Sequence, residues 1–310
     1  MRASLTDRLR TWSRDPMVRR IGTALVLGIS ALFLLRSVRN VDLTAMLATL
    51  GAGDIALLAV CCIAYGALLM LLARGWSIAL DVPQVDWRHA VAIYGTSVLP
   101  KYLPGSVPQY LSRHVLSQRY GWPASTMARS SVLEIALHVL CSLAVAACFL
   151  LWPGSTRTLV FDWRFIVVGL TALAAVAITL WAYRRFRPAI VFRAMAYQLA
   201  FFAGFALLAI VCGIVSGVPA NDLPAVGGLF LLSWLISFVV PLAPGGLGVR
   251  EAAGVALLSG IIGPESALFV LAAMRLITLG GDVLMIGAGY LFQRGGPSVL
   301  ESSLPETSVR

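Results

Sequence analysis

The sequence predicts an all-α, polytopic integral membrane protein. Of its 310 residues, 59% are hydrophobic and only 12% are charged, whereas a soluble domain carries roughly 25% charged residues. Several apolar runs are close to the about 20 residues that a helix needs to cross a bilayer. The net charge of +10 would suggest a nucleic-acid partner in a soluble chain. Here the basic residues flank apolar runs, which is typical of cytoplasmic loops of membrane proteins, and we expect no nucleic-acid partner.

Ten apolar segments follow one another along the chain. We interpret six as spanning helices and four as half-helices, because those four are short and lie in pairs around a proline-glycine sequence. If every segment crossed the membrane instead, the count would be ten. In chain order the segments are Ile21–Leu35, Ile55–Ala73, Ala90–Leu99, Val107–Tyr120, Val132–Trp152, Phe165–Tyr183, Ala194–Val218, Val226–Val240, Ala252–Ile262 and Ala267–Phe292.

Two proline-glycine sequences interrupt the apolar pattern. We call Pro100–Gly105 the first break and Pro241–Glu251 the second break. Within a bilayer, non-helical backbone is tolerated only where it is buried in protein or lines a wet cavity. The sequence therefore predicts two re-entrant hairpins, and the cation in each break makes them the best candidates for a binding site.

The distribution of arginine supports this topology. With six spans and two hairpins, 17 of the 24 basic residues fall on one side of the membrane, which identifies that side as cytoplasmic. We expect a basic cytoplasmic segment at 1–20, a transmembrane domain at 21–292 and a disordered cytoplasmic tail at 293–310. The expected location is a cell membrane, the inner membrane of a bacterium.

The two breaks resemble copies of one unit. Each unit, near 89–152 and near 226–292, contains a half-helix, a break, a second half-helix, a proline-containing turn and a spanning helix with a charged residue about three turns in. Three spanning helices separate the units, so they would open to opposite sides, as in the inverted repeats of many transporters. The alternative is that proline-glycine turns recur by chance in a chain rich in both residues.

The first break and the half-helix after it offer candidate ligands for a lipid headgroup. Lys101 stands between two prolines, and Gln109 and Arg113 share a helix face at i and i+4. With Pro104 and Gly105, they form one candidate binding site. The alternatives are a snorkelling interfacial lysine and an arginine on an ordinary cytoplasmic rim.

The second break offers an anion site. Glycines there allow a tight turn, and the half-helix that begins near Val249 would direct its N-terminal amides at a phosphate. The alternative is an Arg250–Glu251 pair that caps an extracellular turn. The candidate ligands in this region are Gly245, Gly246, Gly248, Arg250 and Arg275.

Acidic residues and a histidine lie near these cations. Glu134 and His138 are separated by one helical turn, so they could form a proton relay or a structural pair. Arg275 and Asp282 lie two turns apart, so we expect each to pair with a different element. Glu251 and Asp282 complete the set of expected charge partners or proton carriers. We predict no metal site and no catalytic residue.

The segment from Val98 to Gln109, which contains Lys-Tyr-Leu-Pro-Gly, resembles the transmembrane family of lysylphosphatidylglycerol synthases and flippases. The segment from Pro244 to Glu251 is similar to the Pro-Gly-Gly-Leu-Gly-x-Arg-Glu sequence of that family, and Arg275 followed by Asp282 also fits. The resemblance covers roughly residues 20–292. Only 18 residues follow Phe292, so we do not expect the aminoacyl transferase activity of the synthase members.

The resemblance implies a lipid flippase or exporter for a phospholipid or a polyprenyl-linked glycolipid, and not an enzyme. Its expected partners are membrane lipids with anionic or zwitterionic headgroups, a separate lipid-modifying enzyme and further copies of the chain. We expect no cofactor, since the sequence contains no ATP-binding motif. The alternatives are a membrane-embedded transferase or phosphatase that acts on lipid phosphates, and a scaffold for an envelope-lipid enzyme.

Overall fold

The computed structural model describes residues 51–82, 85–102, 107–117, 120–152, 163–239 and 248–294. Within these ranges every regular element is helical, which confirms the predicted all-α polytopic class. The helices are α1 (Ala52–Ala79), α2 (Trp87–Thr96), a 3₁₀ turn (Leu99–Tyr102), α3 (Val107–Ser117), α4 (Ala124–Leu150), α5 (Trp163–Tyr183), α6 (Pro188–Val215), α7 (Leu223–Val239), α8 (Val249–Ile262) and α9 (Pro264–Arg294).

Four of the described helices, α1, α4, α6 and α9, are long and apolar enough to cross a membrane. They correspond to four of the six predicted spans. The fifth predicted span coincides with α5, which has 21 residues. The sixth, Ile21–Leu35, lies outside the described residues. The chain is therefore a multi-pass membrane protein.

The helices beside the two breaks are short. α2 and α3 contain 10 and 11 residues, and α7 and α8 contain 17 and 14. At 1.5 Å per residue, these helices extend for roughly 15 to 26 Å, less than the about 30 Å of a hydrocarbon core. Their lengths agree with the predicted half-helices. Residues 103–106 and 240–247, which include part of each break, lie outside the described residues, and so do Pro104, Gly105, Gly245 and Gly246.

The long helices continue beyond the apolar runs that predict them. The expected span Val132–Trp152 belongs to α4, which begins eight residues earlier at Ala124. The added turns contain Thr126 and Ser130, which are buried against protein. The helix therefore extends beyond the apolar run that predicts it, through turns in which these two polar side chains pack against protein.

Close backbone packing places the 3₁₀ turn, which begins the first break, beside α9. A Cβ atom added to Gly95 in α2 would lie 2.4 Å from the Met285 carbonyl oxygen, and one added to Gly289 in α9 would lie 2.8 Å from the Thr96 amide nitrogen. Small residues allow helices in a membrane to approach this closely. The contact holds α2 against α9, so that the 3₁₀ turn after α2 reaches side chains of α9.

An aromatic core joins α6 to α7 near the second break. The Phe205 ring makes an edge contact with Phe230 at 5.0 Å between centroids, and the Phe202 ring makes one with Trp234 at the same distance. Trp234 in turn stacks on Phe238 at 5.1 Å. Edge and offset contacts of this kind are the preferred aromatic geometries. They fix the helix that precedes the second break against a long helix.

Candidate functional site

A cavity of about 140 Å³ lies between the helices of the two breaks. This volume is many times the roughly 10–15 Å³ that one water molecule requires. The cavity brings together side chains from α3 and α8, which follow the first and second breaks. Its wall contains these sequence-predicted residues: Lys101, Gln109, Arg113, Glu134, His138, Arg250, Arg275 and Asp282.

Arg113 is buried and has polar partners on two neighbouring helices. Its guanidinium forms an ion pair with the Glu134 carboxylate, and its Nε donates to Ser97 Oγ at 2.9 Å. The Tyr94 hydroxyl donates to the other Glu134 oxygen at 2.9 Å, and the Arg113 guanidinium lies 3.9 Å from the Tyr94 ring centroid. A buried charge is tolerated when it is paired and hydrogen-bonded in this way. Arg113 therefore ties α3 to α2 and α4.

Lys101 forms an ion pair with a residue of α9. Its Nζ lies 2.5 Å from Asp282 Oδ2, and the Tyr102 hydroxyl donates to the same oxygen. The Lys101 side chain is 24% exposed, whereas the Asp282 side chain is 2% exposed. The expectation that Asp282 pairs with another element is confirmed. The contact joins the first break to the last helix.

Arg250 has different surroundings. It is 6% exposed, and its guanidinium lies 4.6 Å from the Phe230 ring centroid and 5.5 Å from that of Phe205. Within the described part of the chain, no carboxylate pairs with Arg250, and its Nη2 has no hydrogen-bond partner. Cation–π contacts recover about 0.5–2 kcal/mol, less than the several kcal/mol that desolvating an ion costs. An anion in the cavity would supply the missing compensation.

The start of α8 is capped by its own side chain. Gly248 adopts a positive φ of 82°, a backbone conformation that residues with a side chain rarely adopt. Its amide donates a hydrogen bond to Glu251 Oε2 at 2.7 Å. The other Glu251 oxygen lies 4.0 Å from an Arg275 nitrogen. Glu251 thus accepts the hydrogen bond from the Gly248 amide that we expected a phosphate to accept. Arg275 and Asp282 do pair with different elements, as predicted.

Glu134 and His138 do not pair through their side chains. His138 Nδ1 lies 2.9 Å from the Glu134 backbone carbonyl oxygen, which accepts its hydrogen bond. The carboxylate points instead at Arg113 and Tyr94. The His138 ring stacks on Phe238, with 5.5 Å between centroids. This geometry favours a structural role for Glu134, and the proton relay remains a prediction.

Gln109 also lines the cavity, on the same face of α3 as Arg113. The predicted i, i+4 relation of these two residues therefore agrees with the structure. Unlike Arg113, Gln109 lies at the start of the helix, next to the first break. It can accept or donate a hydrogen bond, so it suits a polar headgroup.

The sequence interpretation missed the aromatic and hydroxyl side chains of the site. The Tyr94 hydroxyl donates to Glu134, and the Tyr102 hydroxyl donates to Asp282. On α7, Trp234 and Phe238 line the cavity, and the Phe230 ring contacts Arg250. Those three α7 residues recur at i, i+4 and i+8, so they form one stripe on the helix. This aromatic stripe, which ends at the second break, is visible in the sequence and could have indicated that α7 lines the site.

The charges around the cavity comprise four cations and three carboxylates among the described residues. The cations are Lys101, Arg113, Arg250 and Arg275, and the carboxylates are those of Glu134, Glu251 and Asp282. The surplus is positive, and Arg250 is buried against aromatic rings. Such a site can bind one anionic group. Among the described residues no cluster of His, Cys, Asp or Glu is arranged to hold a metal ion.

Comparison with known families supports the interpretation of the whole transmembrane region. The family described as "Lysylphosphatidylglycerol synthase TM region" matches residues 23–285, which is most of the chain. Comparisons with curated proteins and with solved structures give no match. The family match contains both breaks and all eight predicted residues that line the cavity. The chain therefore belongs to the lysylphosphatidylglycerol synthase transmembrane-region family.

Proposed function

We propose that this protein is a lipid flippase that moves a phosphate-containing lipid between the two leaflets of a cell membrane. The observation that carries the proposal is Arg250, a buried guanidinium in a cavity, with aromatic contacts but no carboxylate partner among the described residues. An arginine at membrane depth costs on the order of 2.5–3.5 kcal/mol by insertion scales. A phosphate pairs well with such a guanidinium.

The size of the cavity supports translocation of a headgroup. About 140 Å³ accommodates a small polar group but not the acyl chains of a phospholipid. The chains would therefore stay in the bilayer while the headgroup passes through the protein. Membership of a family related to lipid synthesis and flipping agrees with this arrangement.

The two breaks provide a route for alternating access. We propose that they are inverted repeats that enter the membrane from opposite sides and meet at the cavity. The short helices around each break support this, and so does the cavity wall, which combines residues from both. Lys101 and Gln109 would meet the headgroup from the cytoplasm. Arg250 and Arg275 would hold it on the way out.

The test is lipid translocation in liposomes that contain the purified protein. A lipid labelled on an acyl chain is quenched from outside, and the fraction that becomes accessible is followed over time. We expect Arg250→Ala to reduce the rate on the order of tenfold or more, since removing one charge-assisted contact typically costs 1.5–3 kcal/mol. The matched control is Arg193→Ala, because Arg193 is exposed in α6. Equal rates for wild type and Arg250→Ala would reject the proposal.

Product analysis distinguishes the flippase from the enzyme alternative. Lipids extracted after the assay are examined by mass spectrometry. Unchanged lipid in the opposite leaflet supports the flippase, whereas a covalently altered lipid would indicate a transferase or phosphatase. The scaffold alternative predicts that changes at Lys101, Arg250 and Arg275 leave function in cells intact.

The proposed orientation has its own test. Arg187 lies in the exposed connection between α5 and α6, and Asn221 lies in the exposed connection between α6 and α7. We expect Arg187→Cys to react with an impermeant thiol reagent only from the cytoplasm, and Asn221→Cys only from outside. Each substitution is made in a background that lacks the five native cysteines. Labelling of both positions from one side would contradict the topology.

A further inference from the structure

The two oxygens of Asp282 have unequal surroundings. Both polar contacts from the first break, the Lys101 ammonium and the Tyr102 hydroxyl, lie on Oδ2. Oδ1 is buried and has no hydrogen-bond partner among the described residues. A carboxylate can accept about four hydrogen bonds, and a buried acceptor without a partner is unfavourable. Asp282 is 1% exposed, so bulk water does not compensate it.

Arg250 presents the complementary deficiency in the same cavity. Its Nη2 is a buried donor without a partner among the described residues, and Asp282 Oδ1 is a buried acceptor without one. Both residues line the cavity, on α8 and α9. A ligand that satisfies both must carry an acceptor and a donor. The phosphate of a lipid supplies the acceptor, and a second group must supply the donor.

We propose that Asp282 selects lipids whose headgroup carries an N–H or O–H donor beyond the phosphate. This inference rests on the proposed flippase function and assigns the specificity of the same cavity. The phosphate binds Arg250 and also attracts the Lys101 ammonium, whose side chain is 24% exposed. The headgroup donor binds Asp282 Oδ1, the oxygen that has no partner among the described residues.

Headgroup chemistry then decides which lipids pass. An ethanolamine headgroup has an ammonium donor and a glycerol headgroup has hydroxyl donors, so both satisfy Asp282. A choline headgroup has a trimethylammonium without any N–H, so it leaves Asp282 Oδ1 without a hydrogen bond. A site built to hydrogen-bond a substrate group strongly rejects analogues that lack the group.

The test compares three phospholipids with identical labelled acyl chains in liposomes that contain the purified protein. The headgroups are ethanolamine, glycerol and choline. We expect wild type to move the first two on the order of tenfold or more faster than the third. Asp282→Asn keeps an oxygen acceptor but loses the charge. It should therefore slow the ethanolamine lipid much more than the glycerol lipid.

Further outcomes separate the two proposals. Asp282→Glu retains the charge and should retain the preference for donor-bearing headgroups. Arg193→Ala, at an exposed position of α6, controls for effects of purification and reconstitution. If wild type moves the choline lipid as fast as the others, or if Asp282→Asn slows all three equally while eluting as a monodisperse protein, the selection by Asp282 is rejected. If wild type moves none of the three, the flippase function itself fails.

Discussion

The two breaks place one buried arginine each beside the same cavity, and the surroundings of the two arginines differ. Arg113, after the first break, is 3% exposed and contacts Glu134, Ser97 and the Tyr94 ring. Arg250, in the second break, is 6% exposed and contacts aromatic rings. Similar burial is thus combined with a carboxylate partner in one case and, among the described residues, with no carboxylate partner in the other.

This difference assigns different roles to the two regions. A buried ion pair joins helices, and removing one partner leaves an uncompensated charge. A buried cation without a carboxylate contributes nothing comparable to stability, so its benefit must come from a ligand. The first break is therefore anchored by Arg113 and contributes Lys101 and Gln109 to binding. The second break supplies the principal anion ligand, Arg250.

The largest expected effect on stability is at the Arg113–Glu134 pair. Arg113→Leu leaves the Glu134 carboxylate buried with the Tyr94 hydroxyl as its remaining hydrogen-bond donor. We expect the free energy of unfolding to fall by about 3–5 kcal/mol, the typical cost of breaking a buried pair. Denaturant titration in detergent micelles measures the change. A loss below that of an exposed control, Arg193→Ala, would contradict the anchoring role.

Removing both members of the pair sharpens this prediction. The double variant Arg113→Leu/Glu134→Leu leaves no uncompensated charge, so it should be more stable than either single variant. A double-mutant cycle on the same unfolding data measures the coupling. If the two single losses simply add, the residues do not act as a pair, and the contrast with Arg250 weakens.

The packing that positions the first break gives an intermediate effect. A Cβ atom at Gly289 would lie 2.8 Å from the Thr96 amide nitrogen, whereas one at Gly287 meets nothing within 4 Å. Gly289→Ala should therefore cost about 1–3 kcal/mol, as overpacking usually does. Gly287→Ala, two residues earlier on α9, should be neutral or slightly stabilising. Equal effects would show that close packing of α2 on α9 is not required.

The smallest expected effect on stability is at Arg250. Arg250→Leu removes its cation–π contacts but also removes an incompletely compensated charge, so the two changes offset each other. We expect the free energy of unfolding to change by less than about 1 kcal/mol in either direction. The same titration provides the measurement. A loss as large as that of Arg113→Leu would make Arg250 a second structural anchor.

Much of the fold and part of the site could be predicted from the sequence. Apolar runs locate the helices because lipid contact requires them, and the breaks and charged residues stand out against that background. The partners of those charges could not be predicted. Tyr102 and Asp282 are 180 residues apart in the chain, and their contact depends on how α2 packs against α9. Likewise, the ion pair of Arg113 and the lack of a carboxylate partner for Arg250 among the described residues are properties of the packed helices.

The most direct measurement of the central claim is phospholipid binding by native mass spectrometry. Wild type, Arg250→Ala and the double variant Arg113→Leu/Glu134→Leu are compared after identical detergent exchange and addition of one phospholipid. We predict that the double variant binds lipid as wild type does, whereas Arg250→Ala loses on the order of 90% of the specific binding, a tenfold change. Binding that survives in Arg250→Ala but is lost in the double variant would contradict the account.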